Sequence, residues 1–218
     1  MGGSSTIGGG RRSRTVAIPF PAKRATPHRG CPLLETFRTF VAIELPPEIR
    51  RDVAKLIGDD RGVRWVPKDN LHLTLKFLGD VDNVDVPAVC DVAAEACGPI
   101  DAFEITLSRA DAMPTRDKAR TLAIAIDDPT GNLLRLVNDL DAGYADLGFR
   151  REPRDYVPNL TLARARGGSR RIDDAVVDDW LKRTAWTPRP MAIDRVNVTA
   201  SFLDNEGPTY QTLEGIEL

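Results

Sequence analysis

Asn70-Leu71-His72-Leu73-Thr74-Leu75-Lys76-Phe77-Leu78-Gly79 is the stretch on which the reading of this chain turns. Apolar and polar residues alternate with period two, the pattern of a half-buried strand. Leu71, Leu73, Leu75 and Phe77 are expected to point into a core, with His72, Thr74 and Lys76 on the other face. On its own such a strand is most simply a solvated polar face. A second stretch, Pro158-Asn159-Leu160-Thr161-Leu162-Ala163-Arg164, repeats the x-Leu-Thr-Leu grammar and carries Asn159 where the first has His72.

The surrounding sequence bounds the chemistry. At 218 residues, 42 % hydrophobic and 28 % charged, the chain is long enough and mixed enough for one substantial globular core. It has no apolar run of the ~18 residues a membrane helix needs. Three cysteines (Cys31, Cys90, Cys97) do not make a disulfide framework, and two histidines (His28, His72) cannot build a Cys/His zinc site. A reducing, cytoplasmic setting and a monomer are expected, with no metal and no cofactor. Cys90 and Cys97 are read as small core residues of one helix. The net charge of −2 is unevenly spread: residues 1–34 hold six basic residues and no acid, which leaves −8 for the remainder. An acidic body lacks the broad basic footprint of a protein that grips long nucleic acid, so a nucleic-acid substrate is expected to be met at one end. No nucleotide-binding glycine motif occurs.

Residues 1–36, rich in Gly, Ser, Arg and Pro, are read as a disordered basic tail, and 37–218 as a single domain. Strands are expected at Thr39–Leu45, Val63–Val66, Leu71–Phe77 (ended by Gly79-Asp80), Phe103–Leu107, Thr121–Ile126, Ala192–Ser201 and Tyr210–Leu218. Helices are expected near 47–57, 84–97, 130–147 and 172–183, the first opened by Pro47. This order makes an α+β fold of mostly antiparallel sheets with helices outside. The two x-Leu-Thr-Leu stretches suggest two similar lobes, which would bring their polar strand faces together across a cleft.

His72-Leu73-Thr74-Leu75 matches the H-x-T-x signature of the 2H phosphoesterase superfamily. The wider sequence resembles its RNA 2′,3′-cyclic phosphodiesterase branch, also called 2′-5′ RNA ligase-like. That likeness includes Phe40-Val41-Ala42-Ile43-Glu44-Leu45-Pro46, Arg64-Trp65-Val66-Pro67, the ten residues around His72, Leu147-Gly148-Phe149 and Pro158 to Arg164. It implies a bilobal, pseudo-symmetric (LigT-like) fold. It also implies metal-free opening of a terminal 2′,3′-cyclic phosphate to a 2′-phosphomonoester. Its partners would be RNA 3′ ends or small cyclic nucleotides, with no membrane. Ligation forming a 2′-5′ bond is the reverse of the same chemistry. Such hydrolysis needs a base for the attacking water and an acid for the departing 3′ oxygen, and imidazole serves either role near neutrality. By resemblance His72 is the acid and position 159 the base, with Thr74 and Thr161 donating to phosphate oxygens. Arg164 matches a substrate-binding arginine, but strand parity turns it away unless a bulge intervenes. Lys76 has the parity for the cleft. Trp65 could stack on a base or, as is more usual for tryptophan, pack in the core.

Asn159 departs from the pattern, because an amide cannot take a proton. One reading is an impaired phosphodiesterase, slowed or served by a substitute base from Asp155, Tyr156 or His28. The other is a non-catalytic module that binds RNA 3′-terminal phosphates or cyclic nucleotides.

Overall fold

The computed structural model describes residues 35–167, 171–204 and 207–218, which belong to one compact unit. The basic tail up to residue 34, including His28 and Cys31, lies outside the described residues, as do 168–170 and 205–206. In chain order the elements are β1 (Thr36–Glu44), α1 (Pro47–Ala54), β2 (Val63–Trp65), β3 (His72–Asp82), α2 (Val86–Cys97), β4 (Phe103–Met113) and β5 (Thr121–Asp127). They continue with α3 (Asn132–Asp146), β6 (Asn159–Ala165), α4 (Asp174–Arg183), β7 (Arg189–Ile193), β8 (Arg195–Asp204) and β9 (Gly207–Glu217). The strands form two antiparallel sheets, ordered β3-β1-β8-β9 and β2-β6-β5-β4-β7. This is the expected α+β, bilobal arrangement.

Local chemistry sets the helices. Pro47 opens α1, where a missing N–H costs nothing. The Asp128 carboxylate accepts the free N–H groups of Gly131, Leu133 and Leu134 at the start of α3. Asp173 caps α4 through the Ala175 N–H at 2.9 Å. Helices α2 and α3 pack together, and the Tyr144 hydroxyl donates to the Val89 carbonyl at 3.1 Å. Gly143 permits that close approach, since a Cβ there would stand 2.8 Å from Val92 Cγ1. Cys97 is buried and Cys90 half-buried in this region, as core residues, and burial pushes both thiols up to about 11. At the other sheet, Trp65 packs on the buried Trp180 of α4 (centroids 6.2 Å apart), whose indole N–H donates to the Leu56 carbonyl. Trp65 is therefore used in packing, the more usual role of a tryptophan.

Three sequence expectations change. First, Gly79 does not end the histidine strand. Thr36 to Thr39 pair with Asp82 to Gly79, so β1 starts at Thr36, inside the span read as tail, and β3 runs on to Asp82. Second, the run expected at Ala192–Ser201 is two strands in different sheets, β7 beside β4 and β8 between β1 and β9. The buried set changes phase there, from Met191 and Ile193 to Val196, Val198 and Ala200, so the chain reverses its inward parity as it crosses at Asp194.

Third, Lys76 and Phe77 exchange faces. Pairing with β1 steps from Ala42↔Thr74 to Val41↔Lys76, leaving Leu75 as an extra residue in a bulge. The bulge turns Lys76 inward, to 2 % exposure, and Phe77 outward, to 53 %. Lys76 Nζ donates to Asp141 Oδ1 of α3 at 2.5 Å and to the Arg150 carbonyl at 2.9 Å. The same Asp141 oxygen accepts the Glu152 N–H at 3.1 Å. Burial pushes the Asp141 carboxyl up, but the Lys76 hydrogen bond and the Glu152 N–H outweigh it and hold the group below its usual value. This ion pair, with its ammonium buried and its carboxylate partly exposed, ties β3 to α3 and to the chain that follows.

Removing one partner of such a pair strands the other. Lys76→Ala is expected to lower unfolding stability by about 3 kcal/mol at pH 7, and Lys76→Met by less because it keeps the volume filled. Because the folded Asp141 pKa is depressed, its contribution is present above the unfolded carboxylate value of ~3.9 and fades as pH falls through the lower folded value. Urea titrations at pH 7 and pH 3 check both statements, and equal losses at the two values would contradict them.

Candidate active site

Strands β3 and β6, one from each sheet, lie alongside each other. The Tyr156 hydroxyl crosses from the chain before β6 to donate to the Thr74 carbonyl at 2.8 Å. Between them is a cavity of about 460 Å³ lined by Thr74, Phe77, Asn159, Thr161 and Arg164, and walled by α3 and residues 152–157. His72 lies just beyond that lining, two residues before Thr74 on the same strand face.

The second stretch carries the same bulge as the first. Pairing with β5 steps from Ala123↔Thr161 to Leu122↔Ala163, leaving Leu162 unpaired. Leu160, Leu162 and Ala163 are all buried, and Arg164 is turned to the side of Asn159 and Thr161. The bulge that parity demanded of Arg164 is present. The two frames match in kind: a buried Leu after each threonine is the extra residue of the bulge, and Phe77 and Arg164 are the equivalent residues that return to the cleft.

The two head residues are anchored alike. His72 Nδ1 lies 2.7 Å from the Asn70 carbonyl, two residues back. A carbonyl only accepts, so Nδ1 holds the proton and Nε2 is the end left to the cleft. Asn159 Nδ2 donates to the Val157 carbonyl, also two residues back, at 2.8 Å. Its Oδ1 accepts the Thr161 hydroxyl at 3.2 Å. The amide thus reproduces the inner hydrogen bond of an imidazole and supplies no atom where the outer nitrogen would be.

The His72 ring stacks on Phe40 (4.8 Å, 27°) and meets the edge of Tyr210 (5.3 Å). Burial lowers its pKa and Arg164 lowers it further, against the opposing pull of the Asn70 carbonyl and Glu44. Glu44 stands opposite His72 on β1, where its carboxylate accepts from Asn197 Nδ2 at 3.1 Å.

Residues 43–123 match the family described as LigT-like phosphoesterase. An RNA 2′,3′-cyclic phosphodiesterase of Methanothermobacter thermautotrophicus is 30 % identical over 185 residues, covering 83 % of this chain and 98 % of that protein. The chain belongs to the LigT-like 2H phosphoesterase family. An RNA 2′,3′-cyclic phosphodiesterase of Thermotoga maritima is 26 % identical, over 81 % of this chain and 92 % of that protein. Among solved structures, Escherichia coli LigT complexed with 3′-AMP superposes with TM-score 0.65 at 27 % identity, covering 84 % of this chain and 99 % of that one. The Thermus thermophilus protein TT0787 shares the fold, with TM-score 0.67 and 24 % identity over 83 % of this chain and 97 % of that one.

In this LigT-like phosphoesterase the sequence-derived candidates fall into two groups. Thr74, Asn159, Thr161 and Arg164 converge on the cavity, with His72 beside it. Lys76 and Asp141 are among the residues lining the cavity, but the Lys76 ammonium is engaged by Asp141 and the Arg150 carbonyl rather than free for a ligand. Tyr156 is no substitute base: its phenol is engaged with Thr74, and burial raises its pKa. Asp155 is exposed on the cavity wall. Sequence reading missed Phe40, Phe77 and Tyr210, because their place depends on the Leu75 bulge and on which strands pair. Among the described residues no three His, Cys, Asp or Glu side chains gather as a metal site, and no helix is long and apolar enough to cross a membrane.

Tyr156→Phe leaves the Thr74 carbonyl without this donor. It is expected to cost about 1–2 kcal/mol of stability while preserving the secondary structure. Denaturant unfolding with circular dichroism checks it, and an unchanged midpoint would show that the bridge carries no weight.

Proposed function

We propose that this protein hydrolyses the terminal 2′,3′-cyclic phosphate of RNA to a 2′-phosphomonoester, as a cytoplasmic monomer, at a rate limited by Asn159. The names of the curated relatives support the reaction class. The observation that carries the reading is the pair of matching anchors, His72 on Asn70 and Asn159 on Val157, which give the two residues equivalent stations on facing strands.

In this scheme water attacks phosphorus as the bond from phosphorus to the 3′ oxygen breaks. Protonated His72 gives its Nε2 proton to the departing oxygen. Thr74, and Thr161 after rotating from Asn159 Oδ1, donate to the non-bridging oxygens, where Arg164 offsets the growing charge. Asn159 Oδ1, released when Thr161 rotates away, accepts a hydrogen bond from the water but cannot take its proton, which passes to solvent. A second reading, a binding module for RNA 3′-terminal phosphates or cyclic nucleotides, is favoured by one observation: both polar atoms of Asn159 are already engaged.

The lowered His72 pKa sets the pH dependence. The acid form is present below that pKa, so kcat/KM for the wild-type protein is expected to fall as pH rises through a midpoint under 6.5. With no base to titrate, there is no second limb on the acid side. Asn159→His is expected to add that limb, giving a bell, and to raise kcat/KM by about 10²–10⁴-fold. The assay is release of 2′-phosphomonoester from a cyclic-phosphate oligonucleotide with chelator present. A bell in the wild type would point to a substitute base. No turnover by the wild type with recovery in Asn159→His would leave the binding module.

A further inference from the structure

Arg64 of β2 and Arg164 of β6 stand directly opposite each other, with side chains on the same face. Like charges in that position repel and destabilise the pair. Among the described residues neither arginine has a carboxylate partner within 4 Å, although the body of the chain is acidic. Arg164 lines the cavity, whereas Arg64 is outside its lining, at the edge where β2 borders β6.

A third arginine joins them from the other sheet. Arg38 shares the face of Phe40, two residues on, and sits opposite Ser201, which in turn is opposite Tyr210. On its other side Arg38 faces Asp80 of β3, with no ion pair between them. Tyr210 meets the edge of His72. Burial raises the Tyr210 pKa while Arg164, Arg64 and Arg38 each pull it down, so the three positive fields meet at one phenol beside the candidate acid. Positive charge without carboxylate partners among the described residues, contributed by both sheets, calls for an anion beyond the one that Thr74 and Thr161 would hold.

We propose that Arg64, beside Arg164 and with Arg38 contributed by the other sheet, forms a second phosphate position that takes the phosphate on the 5′ side of the terminal nucleotide. The site then selects RNA ends of two or more nucleotides over cyclic mononucleotides. This inference rests on the function proposed above and adds its substrate class. The cavity takes the terminal group, and the rim takes the next link of the chain.

Calorimetric titration of the full chain with three ligands tests it: adenosine 2′-phosphate, adenosine 2′,5′-bisphosphate, and the ApA dinucleotide ending in a 2′-phosphate. The wild type is expected to bind the latter two about tenfold more tightly than the first, with a slope of log affinity against log salt steeper by about 0.7, the increment for one added phosphate contact on a single strand. Arg64→Gln is expected to bring the affinity ratio near two and to remove the extra slope, and Arg64→Lys to retain it. Equal wild-type affinities for the three ligands, or a ratio that Arg64→Gln leaves intact, would overturn the subsite alone. Binding of none of them, together with no turnover of a cyclic-ended oligonucleotide, would overturn both the subsite and the function. The wild-type comparison decides even if a variant fails to fold.

Discussion

One backbone device, repeated, underlies the cleft: a bulge at the leucine that follows each threonine, Leu75 in β3 and Leu162 in β6. A bulge makes two residues oppose one, so strand parity reverses beyond it. Before each bulge the cleft receives His72 and Thr74, or Asn159 and Thr161. Beyond it the cleft receives Phe77, or Arg164, and the intervening residue is buried. The duplicated frame thus sets three stations on each side. The chemistry comes from how the two sides differ: imidazole against amide, phenyl against guanidinium, and buried Lys76 against buried Ala163.

The Lys76–Asp141 pair is the consequence of that parity reversal on the first side. An ammonium driven into the core by a bulge needs a counter-charge, and α3 supplies it. The pair also holds the Arg150–Glu152 backbone, from which the cavity wall and Tyr156 continue. The ion pair lines the cavity and holds its wall, so packing and the shape of the cleft are coupled through one side chain. Asn159 fits this view as a residue that keeps its station without the proton chemistry of a histidine. Its amide holds the inner carbonyl and leaves the outward position bare.

Much of this was legible before the fold was known. The alternation Leu71, Leu73, Leu75 and its echo at Leu160 and Leu162 located both motif strands and the side on which His72, Thr74 and Thr161 would stand. Arg164 was legible only conditionally, because its parity was wrong for a straight strand. Lys76 and Phe77 were misplaced for the same reason: a bulge is defined by a partner strand, and residues 71–79 do not name β1. The division at Asp194 left a trace in the phase of buried residues, but short apolar runs do not say which sheet receives them. Tyr210 reaches the site only because β8 sets β9 beside β1, a long-range pairing with no local signature.

The central claim is that both motif strands serve one phosphate. A crystal structure of the protein with the ApA 2′-phosphate bound tests it most directly. The account predicts the terminal phosphate between His72 and Asn159, with the Thr74 and Thr161 hydroxyls each about 2.7–3.1 Å from its oxygens. A phosphate seated elsewhere, or held by only one of the two threonines, would contradict it.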